Sequence, residues 1–160
     1  MARDRCFPPL IAPHTRVLLL GSLPGRASLA AGHYYAHPRN QFWRLLGDIL
    51  DEPLAVLSYD QRIEHILAAG VGLWDVVGEA ERQGSLDADL RQVQYNDLSR
   101  LVDNAPGLRA VGFNGKAAAR AGALLQGNGL ALLSLPSSSP AFTLPYDNKL
   151  AQWREIGRYL

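Results

Sequence analysis

The sequence predicts an α/β fold, namely a three-layer α/β/α sandwich around a central, mostly parallel four-stranded sheet. Two observations lead to this prediction. Short apolar runs alternate with segments of helical periodicity, and glycine and proline residues separate one from the next. This alternation is typical of a parallel sheet covered by helices on both faces. Because ligands in such folds bind at the carboxyl ends of the strands, the segments after the strands are the candidates for a functional site.

Four apolar runs are predicted as the strands. The first, residues 16–20, is apolar and is therefore expected to be buried on both faces. The others are residues 71–77, 108–113 and 130–135. Residues 78–95 are polar and show no convincing periodicity, so no element is predicted there.

Five helices are predicted from apolar residues at helical spacing and from capping residues before them. Their expected first residues or caps are Asn40, Asp60, Asn96, Lys116 and Asp147. The helix that begins at Lys116 extends to residue 125, and the one after Asn96 runs through Val102. No helix is expected directly after residues 21–25.

Length and composition are those of one globular domain, residues 1–160. Of the 160 residues, 48% are hydrophobic and 19% charged, and the formal net charge is +1. The longest apolar runs are far shorter than the roughly 20 residues that a membrane-spanning helix needs. The single cysteine, Cys6, excludes an internal disulfide and disfavours a cysteine-based zinc site. We expect a cytoplasmic monomer with no membrane association and no metal.

The basic residues favour local contacts with phosphate. Sixteen basic residues balance fifteen acidic ones, so the net charge provides no strong attraction to polyanions. Fourteen of the sixteen are arginine, which suits bidentate contacts with phosphate. Arg26 and Arg39 are candidates for such contacts.

The segments expected at the strand ends are rich in Gly, Pro, Ser and Asn. They are residues 21–25, 74–78, 113–116 and 136–140. Residues 21–25 (GSLPG) are either a tight turn or a source of backbone amides for a ligand. They are not a dinucleotide-binding motif, because the third glycine is missing and no helix is expected directly after them. Residues 112–116 are not a nucleoside-triphosphate loop, because Ala117 occupies the Ser/Thr position.

Residues 33–43 combine aromatic rings, a proline, a guanidinium and a carboxamide. Tyr35 can stack on a base, Arg39 can contact a phosphate, and Asn40 can hold a water or a base edge. The structural alternatives are that Tyr35 is a core aromatic and that Asn40 caps the helix begun by Phe42. The four histidines show no metal-ligand spacing.

Few groups at the strand ends can act as an acid, a base or a nucleophile. Asp75 is the only carboxylate there, which argues against a hydrolase with paired carboxylates, and a helix cap or an ion pair is an equal alternative for it. Ser22 and Ser137 are candidate nucleophiles, but neither lies in a G-x-S-x-G motif. A small-molecule hydrolase or transferase using either serine is therefore a weak alternative.

Three segments resemble the uracil-DNA glycosylase superfamily, and within it the DNA-deoxyinosine (hypoxanthine-DNA) glycosylase branch. They are residues 21–25 (GSLPG), 34–43 (YYAHPRNQFW) and 135–140 (LPSSSP), of which the second is the most specific. Residues 72–76 and 84–87 give weaker support. The resemblance implies an α/β/α enzyme that flips a deaminated base, deoxyinosine or also uracil, from double- or single-stranded DNA. It hydrolyses the N-glycosidic bond to leave an abasic site, without a cofactor or metal.

The resemblance also implies roles for individual residues. Leu23 stands where mismatch-specific relatives have a catalytic Asn, so the catalytic role passes to Asn40, which ends the Ala-His-Pro-Arg-Asn run. The base-binding residues implied are Ser22, Leu23, Tyr35, Asp75 and Ser137. The DNA-binding residues implied are Arg39, Lys116, Ser138, Ser139 and Ala141. Phe142 is either a wedge that fills the place of the flipped base or a residue turned into the core.

Two further expectations accompany the resemblance. The enzyme is expected to be of a bacterial type that acts on chromosomal DNA in the cytoplasm. A catalytically silent member of the superfamily that binds nucleic acid or a nucleotide is the main alternative, because the most familiar catalytic side chain is absent at Leu23.

Overall fold

A computed structural model describes residues 3–160 of the chain. Its strands are β1 (Arg3–Arg5), β2 (Val17–Gly21), β3 (Val71–Asp75), β4 (Val77–Glu81), β5 (Arg91–Tyr95), β6 (Ala110–Asn114) and β7 (Ala131–Leu135). Its α-helices are α1 (Arg26–Ala31), α2 (Phe42–Leu50), α3 (Tyr59–Ala68), α4 (Leu98–Asp103), α5 (Lys116–Ala119) and α6 (Tyr146–Trp153). Short 3-10 helices cover Leu54–Val56, Asp87–Asp89, Arg120–Leu125 and Arg154–Tyr159.

The central sheet has four parallel strands in the order β3-β2-β6-β7. Every residue of β2 is buried, and alternate residues face two different apolar clusters. Val17 and Leu19 pack with residues of α2, α3 and α6, whereas Leu18 and Leu20 pack with residues of α4 and α5. Full burial of each such side chain contributes about 1.5–3 kcal/mol. The predicted three-layer sandwich is confirmed.

A second sheet, which the sequence analysis missed, has three antiparallel strands in the order β1-β4-β5. The predicted strand 71–77 is wrong in its last two residues, because β3 ends at Asp75 and Val77 already belongs to β4. The pairing of β4 with β5 has register shifts after Val77 and after Glu79. Such irregularities break the two-residue alternation, which is why residues 78–95 show no periodicity.

Three predicted helix starts differ from the structure. Ser58, not Asp60, caps α3, and it forms a reciprocal capping box with Gln61. Pro145 precedes α6, so that Asp147 lies within the first turn. Asp97 accepts the N–H of Arg100 at the start of α4.

Asn96 has a different role from the predicted cap. Its side-chain amide donates to the Asp75 carbonyl oxygen at 2.7 Å and to the Cys6 sulfur at 3.4 Å. It therefore joins the end of β3 to the segment after β1. Farther along the chain, the predicted helix 116–125 is α-helical only in Lys116–Ala119 and continues as a 3-10 helix.

The helix α1 begins directly after Gly25, where no helix was expected. Its N-cap residue, Gly25, has no side chain to accept a hydrogen bond, and the Ser85 hydroxyl from the loop after β4 accepts the N–H of Arg26 at 2.8 Å instead. The exclusion of a dinucleotide-binding motif now rests only on the missing third glycine.

Candidate active site

A cavity of about 500 Å³ opens at the carboxyl edge of the parallel sheet. We call it the strand-end cavity. The predicted segments after β2, β3, β6 and β7 contribute to its wall, and residues 85–87 add a further side. Of the predicted site residues, those that line it are Ser22, Leu23, Tyr35, Asn40, Asp75, Ser137, Ser138, Ser139 and Ala141. Arg39 and Lys116 are exposed and lie outside this lining.

Two polar side chains converge on Gly21 at the end of β2. A Cβ atom built on Gly21 would lie 2.7 Å from the Asp75 Oδ1 atom and 2.9 Å from the Tyr35 hydroxyl oxygen. Any side chain at position 21 would therefore displace both groups. The first glycine of the GSLPG segment is needed for this close approach.

The Asp75 carboxyl group is buried, and one of its oxygens lacks a hydrogen-bond partner in the described part of the chain. Only 4% of the residue is exposed, and within residues 3–160 its Oδ2 atom has no hydrogen-bond partner. Burial, together with a smaller contribution from the nearby Asp87 carboxylate, raises the pKa of Asp75 to about 7, and Arg82 opposes the shift. Asp75 is therefore about half protonated near pH 7 and increasingly protonated below it. Neither the helix cap nor the ion pair considered for it from the sequence is found in the described part of the chain.

Tyr35 is held in a strained position beside Asp75. Its φ is 54°, which lies in the left-handed region that side chains rarely adopt. One face of its ring stacks on Phe42, with centroids 3.9 Å apart and planes 11° apart. Its buried hydroxyl group makes no hydrogen bond within residues 3–160. Burial raises the pKa of this hydroxyl group. Since Phe42 covers one face, only the other face of the ring is left for a ligand.

Asn40 lines the cavity and lies one residue before Gln41, which holds the N-cap position of α2 instead of the predicted Asn40. Its Oδ1 atom accepts the N–H of Phe42 at 2.9 Å, which is the contact that the capping alternative predicts. Its own N–H donates to the His37 carbonyl oxygen at 2.9 Å. The start of α2 thus fixes the carboxamide, and its Nδ2 group makes no hydrogen bond within residues 3–160. The two interpretations of Asn40 are compatible.

Residues 21–25 contribute mainly their backbone. The Leu23 side chain is only 7% exposed and packs in the apolar cluster of Leu18 and Leu20. The carbonyl oxygen of Ser22 accepts the N–H of Val77, whereas the N–H groups of Ser22 and Leu23 donate to nothing within residues 3–160. These two amides are available to a ligand.

The Ser22 side chain contacts a loop that the sequence analysis did not assign to the site. Its hydroxyl group donates to the Oδ1 atom of Asp87. Residues 82–90 connect β4 to β5 and bring Ser85, Leu86 and Asp87 to the cavity wall. The only signal for this loop in the sequence is the weak resemblance of residues 84–87.

Ser138 anchors the loop after β7. It is 1% exposed, its hydroxyl accepts from the Asn114 side-chain amide, and its N–H donates to the Asn114 Oδ1 atom, both at 2.9 Å. Its side chain is therefore directed away from the surface where DNA phosphates were expected. Asn114 was not singled out from the sequence, because its partner lies 24 residues away.

The rest of this loop is ordered by consecutive serine turns. The Ser137 hydroxyl oxygen accepts the N–H of Ser139, and the Ser139 hydroxyl oxygen accepts the N–H of Ala141, both at 3.1 Å. The ammonium group of Lys149, a residue only 1% exposed, donates to the Ser139 carbonyl oxygen at 3.3 Å. The same Nζ atom lies 5.4 Å from the centre of the Phe142 ring. Phe142 is 41% exposed at the cavity rim and is not turned into the core.

Arg26 is already paired and does not act as the free phosphate contact expected from the sequence. Its guanidinium group and that of Arg82 both contact the Oδ2 atom of Asp4. Arg26 also donates to the Gly84 carbonyl oxygen at 2.9 Å. These contacts hold the 82–90 loop against the start of α1. Among residues 3–160, Arg39 and Lys116 form no ion pair with a carboxylate.

The fold and the cavity define an α/β/α protein with a cavity at its strand ends that polar groups and an aromatic ring line. A model of the family described as "Uracil DNA glycosylase superfamily" matches residues 8–160. The chain belongs to this superfamily, as the resemblance of its motifs implied.

Proteins of similar sequence extend the comparison. A protein named hypoxanthine DNA glycosylase from Methanosarcina barkeri is 40% identical over 149 residues, covering 93% of this chain and 94% of the relative. A second of the same name from Methanosarcina acetivorans is 36% identical, covering 97% and 98%. A solution NMR structure described as a candidate uracil DNA glycosylase from M. acetivorans has a TM-score of 0.89 at 36% identity and covers 98% of both chains.

The comparisons and the described structure bear on three other expectations. The named relatives are archaeal, so a bacterial type is not supported. No helix within residues 3–160 has the length and apolar character needed to cross a membrane. The same residues contain no group of three or more His, Cys, Asp or Glu side chains arranged to hold a metal ion.

The raised pKa of Asp75 predicts a pH-dependent stability. Its folded pKa of about 7 exceeds the unfolded value of 3.8, so the folded state binds more protons between these pH values. Stability therefore falls as pH rises through this window. We expect Asp75→Asn to remove this loss, so that the variant gains roughly 2–3 kcal/mol relative to the native protein between pH 5 and pH 8. Urea unfolding at both pH values measures the effect.

The matched control is Asp103→Asn, which changes an exposed carboxyl group at the end of α4. Its stability should follow the native protein at both pH values. A native protein and an Asp75→Asn variant with parallel pH profiles would show that Asp75 is ionised throughout.

Proposed function

We propose that this protein is a DNA glycosylase that flips deoxyinosine out of DNA and hydrolyses its N-glycosidic bond, releasing hypoxanthine. The observation that carries the proposal is the carboxyl group of Asp75, which lines the strand-end cavity, is 4% exposed and has an Oδ2 atom without a hydrogen-bond partner within residues 3–160. The names of the two Methanosarcina relatives support the same substrate. Uracil is proposed as the second base.

A neutral carboxyl group complements the edge of a deaminated base. It offers one O–H donor and one acceptor oxygen side by side. Hypoxanthine presents an N1–H donor next to its O6 acceptor, and uracil presents N3–H next to O4. An ionised carboxylate has no donor and would face the base carbonyl with a negative charge. The protonated form of Asp75 therefore suits both lactam bases.

The remaining base contacts come from Tyr35 and from the backbone. The free face of the Tyr35 ring would stack on the flipped base, and such stacking contributes about 1–3 kcal/mol. The free N–H groups of Ser22 and Leu23 would donate to the negative charge that develops on the departing base. Ser137 would contact the base with its hydroxyl group.

Asn40 would position the attacking water. The oxygen of this water forms a bond to C1′ as the bond from C1′ to the base nitrogen breaks, and the electron pair leaves with the base. The base takes up one proton from the water and the hydroxyl group stays on the sugar. The anionic DNA backbone favours the positive charge on the sugar, so no strong general base is required.

The surface around the cavity would hold the DNA backbone. Arg39 and Lys116 supply unpaired positive charge, and the Ser139 hydroxyl and the Ala141 backbone lie on the loop after β7. Ser138 would act by anchoring this loop rather than by touching phosphate. Phe142 would enter the space left by the flipped base.

Base release from labelled duplexes tests the proposal. Each duplex carries one deoxyinosine, uracil or xanthine, a chelator is present, and alkali converts abasic sites into strand breaks. We expect release of hypoxanthine, reduced about 100-fold or more by Asn40→Ala because the water loses its fixed position. Binding to the same duplexes without release from any would instead identify a catalytically silent member of the superfamily.

A control variant separates catalysis from folding in this experiment. Asn128→Ala changes an exposed Asn in the turn before β7 and should leave release unchanged. Thermal unfolding and duplex binding of Asn40→Ala show whether the loss of the Phe42 contact unfolds the protein. If a folded Asn40→Ala variant still releases hypoxanthine at the native rate, another residue must have the catalytic role.

The pH dependence of release tests the role of Asp75. Hypoxanthine release should decline as pH rises above about 7, because Asp75 loses the proton that it donates. Asp75→Asn keeps one donor and one acceptor at every pH, so its profile should be flat across this range. A decline of equal size in the variant would assign the titration to another group.

Phe142→Ala tests the wedge. We expect release from duplex DNA to fall by roughly 10-fold to 100-fold, and release from single-stranded DNA to change little, because only the duplex must be held open. Leu124→Ala changes another exposed apolar side chain and serves as the control. Equal effects on both substrates would exclude the wedge.

A further inference from the structure

A second cavity, of about 580 Å³, lies beside the strand-end cavity. We call it the arginine pocket. Its wall is formed by residues 35–41 together with Trp43, Arg44, Ala55 and Arg62. It shares Tyr35, His37 and Asn40 with the strand-end cavity, so these residues separate the two spaces.

Three arginines and no acidic residue of the described chain line the arginine pocket. Arg39, Arg44 and Arg62 line it, and no Asp or Glu of the described chain does so. None of the three arginines forms an ion pair within residues 3–160. Three guanidinium groups around one pocket repel each other, and an anionic ligand removes this repulsion.

Two of these arginines are held in place by the protein. The guanidinium carbon of Arg44 lies 3.7 Å from the centre of the Tyr146 ring. Arg62 donates to the carbonyl oxygens of Leu54 and Ala55, both at 2.8 Å, and lies over the Trp43 ring at 5.4 Å. Preorganised guanidinium groups lose little freedom when they bind an anion, and their planar donors fit phosphate oxygens.

We propose that the arginine pocket binds a backbone phosphate of the damaged strand next to the flipped nucleotide. This inference rests on the proposed function for the position of the nucleotide. With the base in the strand-end cavity and C1′ at Asn40, the base and the phosphates lie on opposite sides of the sugar. The arginine pocket is the space on the other side of Asn40.

The pocket also explains how the nucleotide stays extruded. A phosphate held on the far side of residues 35–41 prevents the sugar from swinging back into the duplex. Arg44 and Arg62 then act on the same nucleotide as Asn40, although neither lines the strand-end cavity. Their contribution is to binding and positioning rather than to bond breaking.

The test combines an Arg44→Gln variant with DNA in which single phosphates are made neutral. Duplexes with a non-cleavable abasic analogue carry one methylphosphonate at a time on either side of the analogue. In the native protein, a methylphosphonate at one flanking position should weaken binding about 10-fold more than a methylphosphonate at any other position. In Arg44→Gln, neutralising that same position should have no further effect, because the contact is already lost.

The salt dependence of binding gives a second readout. Losing one phosphate contact should reduce the slope of log K against log salt by about 0.9. The control is the double variant Arg16→Gln with Arg109→Gln, which removes two exposed charges at the opposite edge of the parallel sheet. Its slope should equal that of the native protein. Arg62 is not substituted, because its carbonyl contacts hold residues 54–57.

The outcomes separate this inference from the proposed function. Coupling between Arg44 and one phosphate supports the pocket even if no base is released from any duplex. Release of hypoxanthine without coupling at any position overturns the pocket and leaves the proposed function in place. Inorganic phosphate could bind at Arg44 while no duplex phosphate shows coupling to this residue. That result would also overturn the inference, because the pocket would then bind a free anion and not the DNA backbone.

Discussion

The close approach of Asp75 and Tyr35 over Gly21 is the constraint on which the site depends. Both polar ends lie within 3 Å of the point that a methyl group at position 21 would occupy. Tyr35 reaches this point with a left-handed backbone, and the stacking of its ring on Phe42 offsets part of that strain. Because Phe42 begins α2 and α2 packs in the same apolar cluster as β2, the core itself fixes the polar end of the cavity.

The groups assigned to the base and to the water carry little charge, although Asp87 also lines the cavity. Leu23 supplies only its backbone N–H, the start of α2 orients the carboxamide of Asn40, and burial favours the neutral form of Asp75. An ionised carboxylate in this position would be costly without a partner. A neutral carboxyl group tolerates burial and still distinguishes donors from acceptors. The positive charge is placed outside the cavity, on Arg39, Arg44 and Lys116, where it faces solvent.

The sequence was sufficient for the parallel sheet and for the position of the site, but not for the contacts within the site. Strand β2 could be predicted because it is apolar toward both faces, and the strand-end rule then located the cavity. Val76 and Val77 are as apolar as β3, so hydrophobicity could not reveal that the chain leaves one sheet for another there. The anchoring of Ser138 by Asn114 and the pairing of Arg26 with Asp4 join distant segments and have no local signal. The single domain of residues 1–160 stays a prediction.

The loop of residues 82–90 forms one wall of the cavity but is carried by β4 and β5, which share no strand with the parallel sheet. It is fixed to the rest of the site by polar contacts, such as the one between Ser22 and Asp87 and those of the buried Arg82. One wall of the cavity is therefore formed by a hairpin loop, and the opposite wall by the strands of the parallel sheet. Hairpins of other lengths can be grafted at this place to enlarge or narrow the cavity, while the strands that carry Gly21 and Asp75 stay intact. A change in which base the cavity accepts can therefore come from a change in the length of this loop, without substitutions in the core.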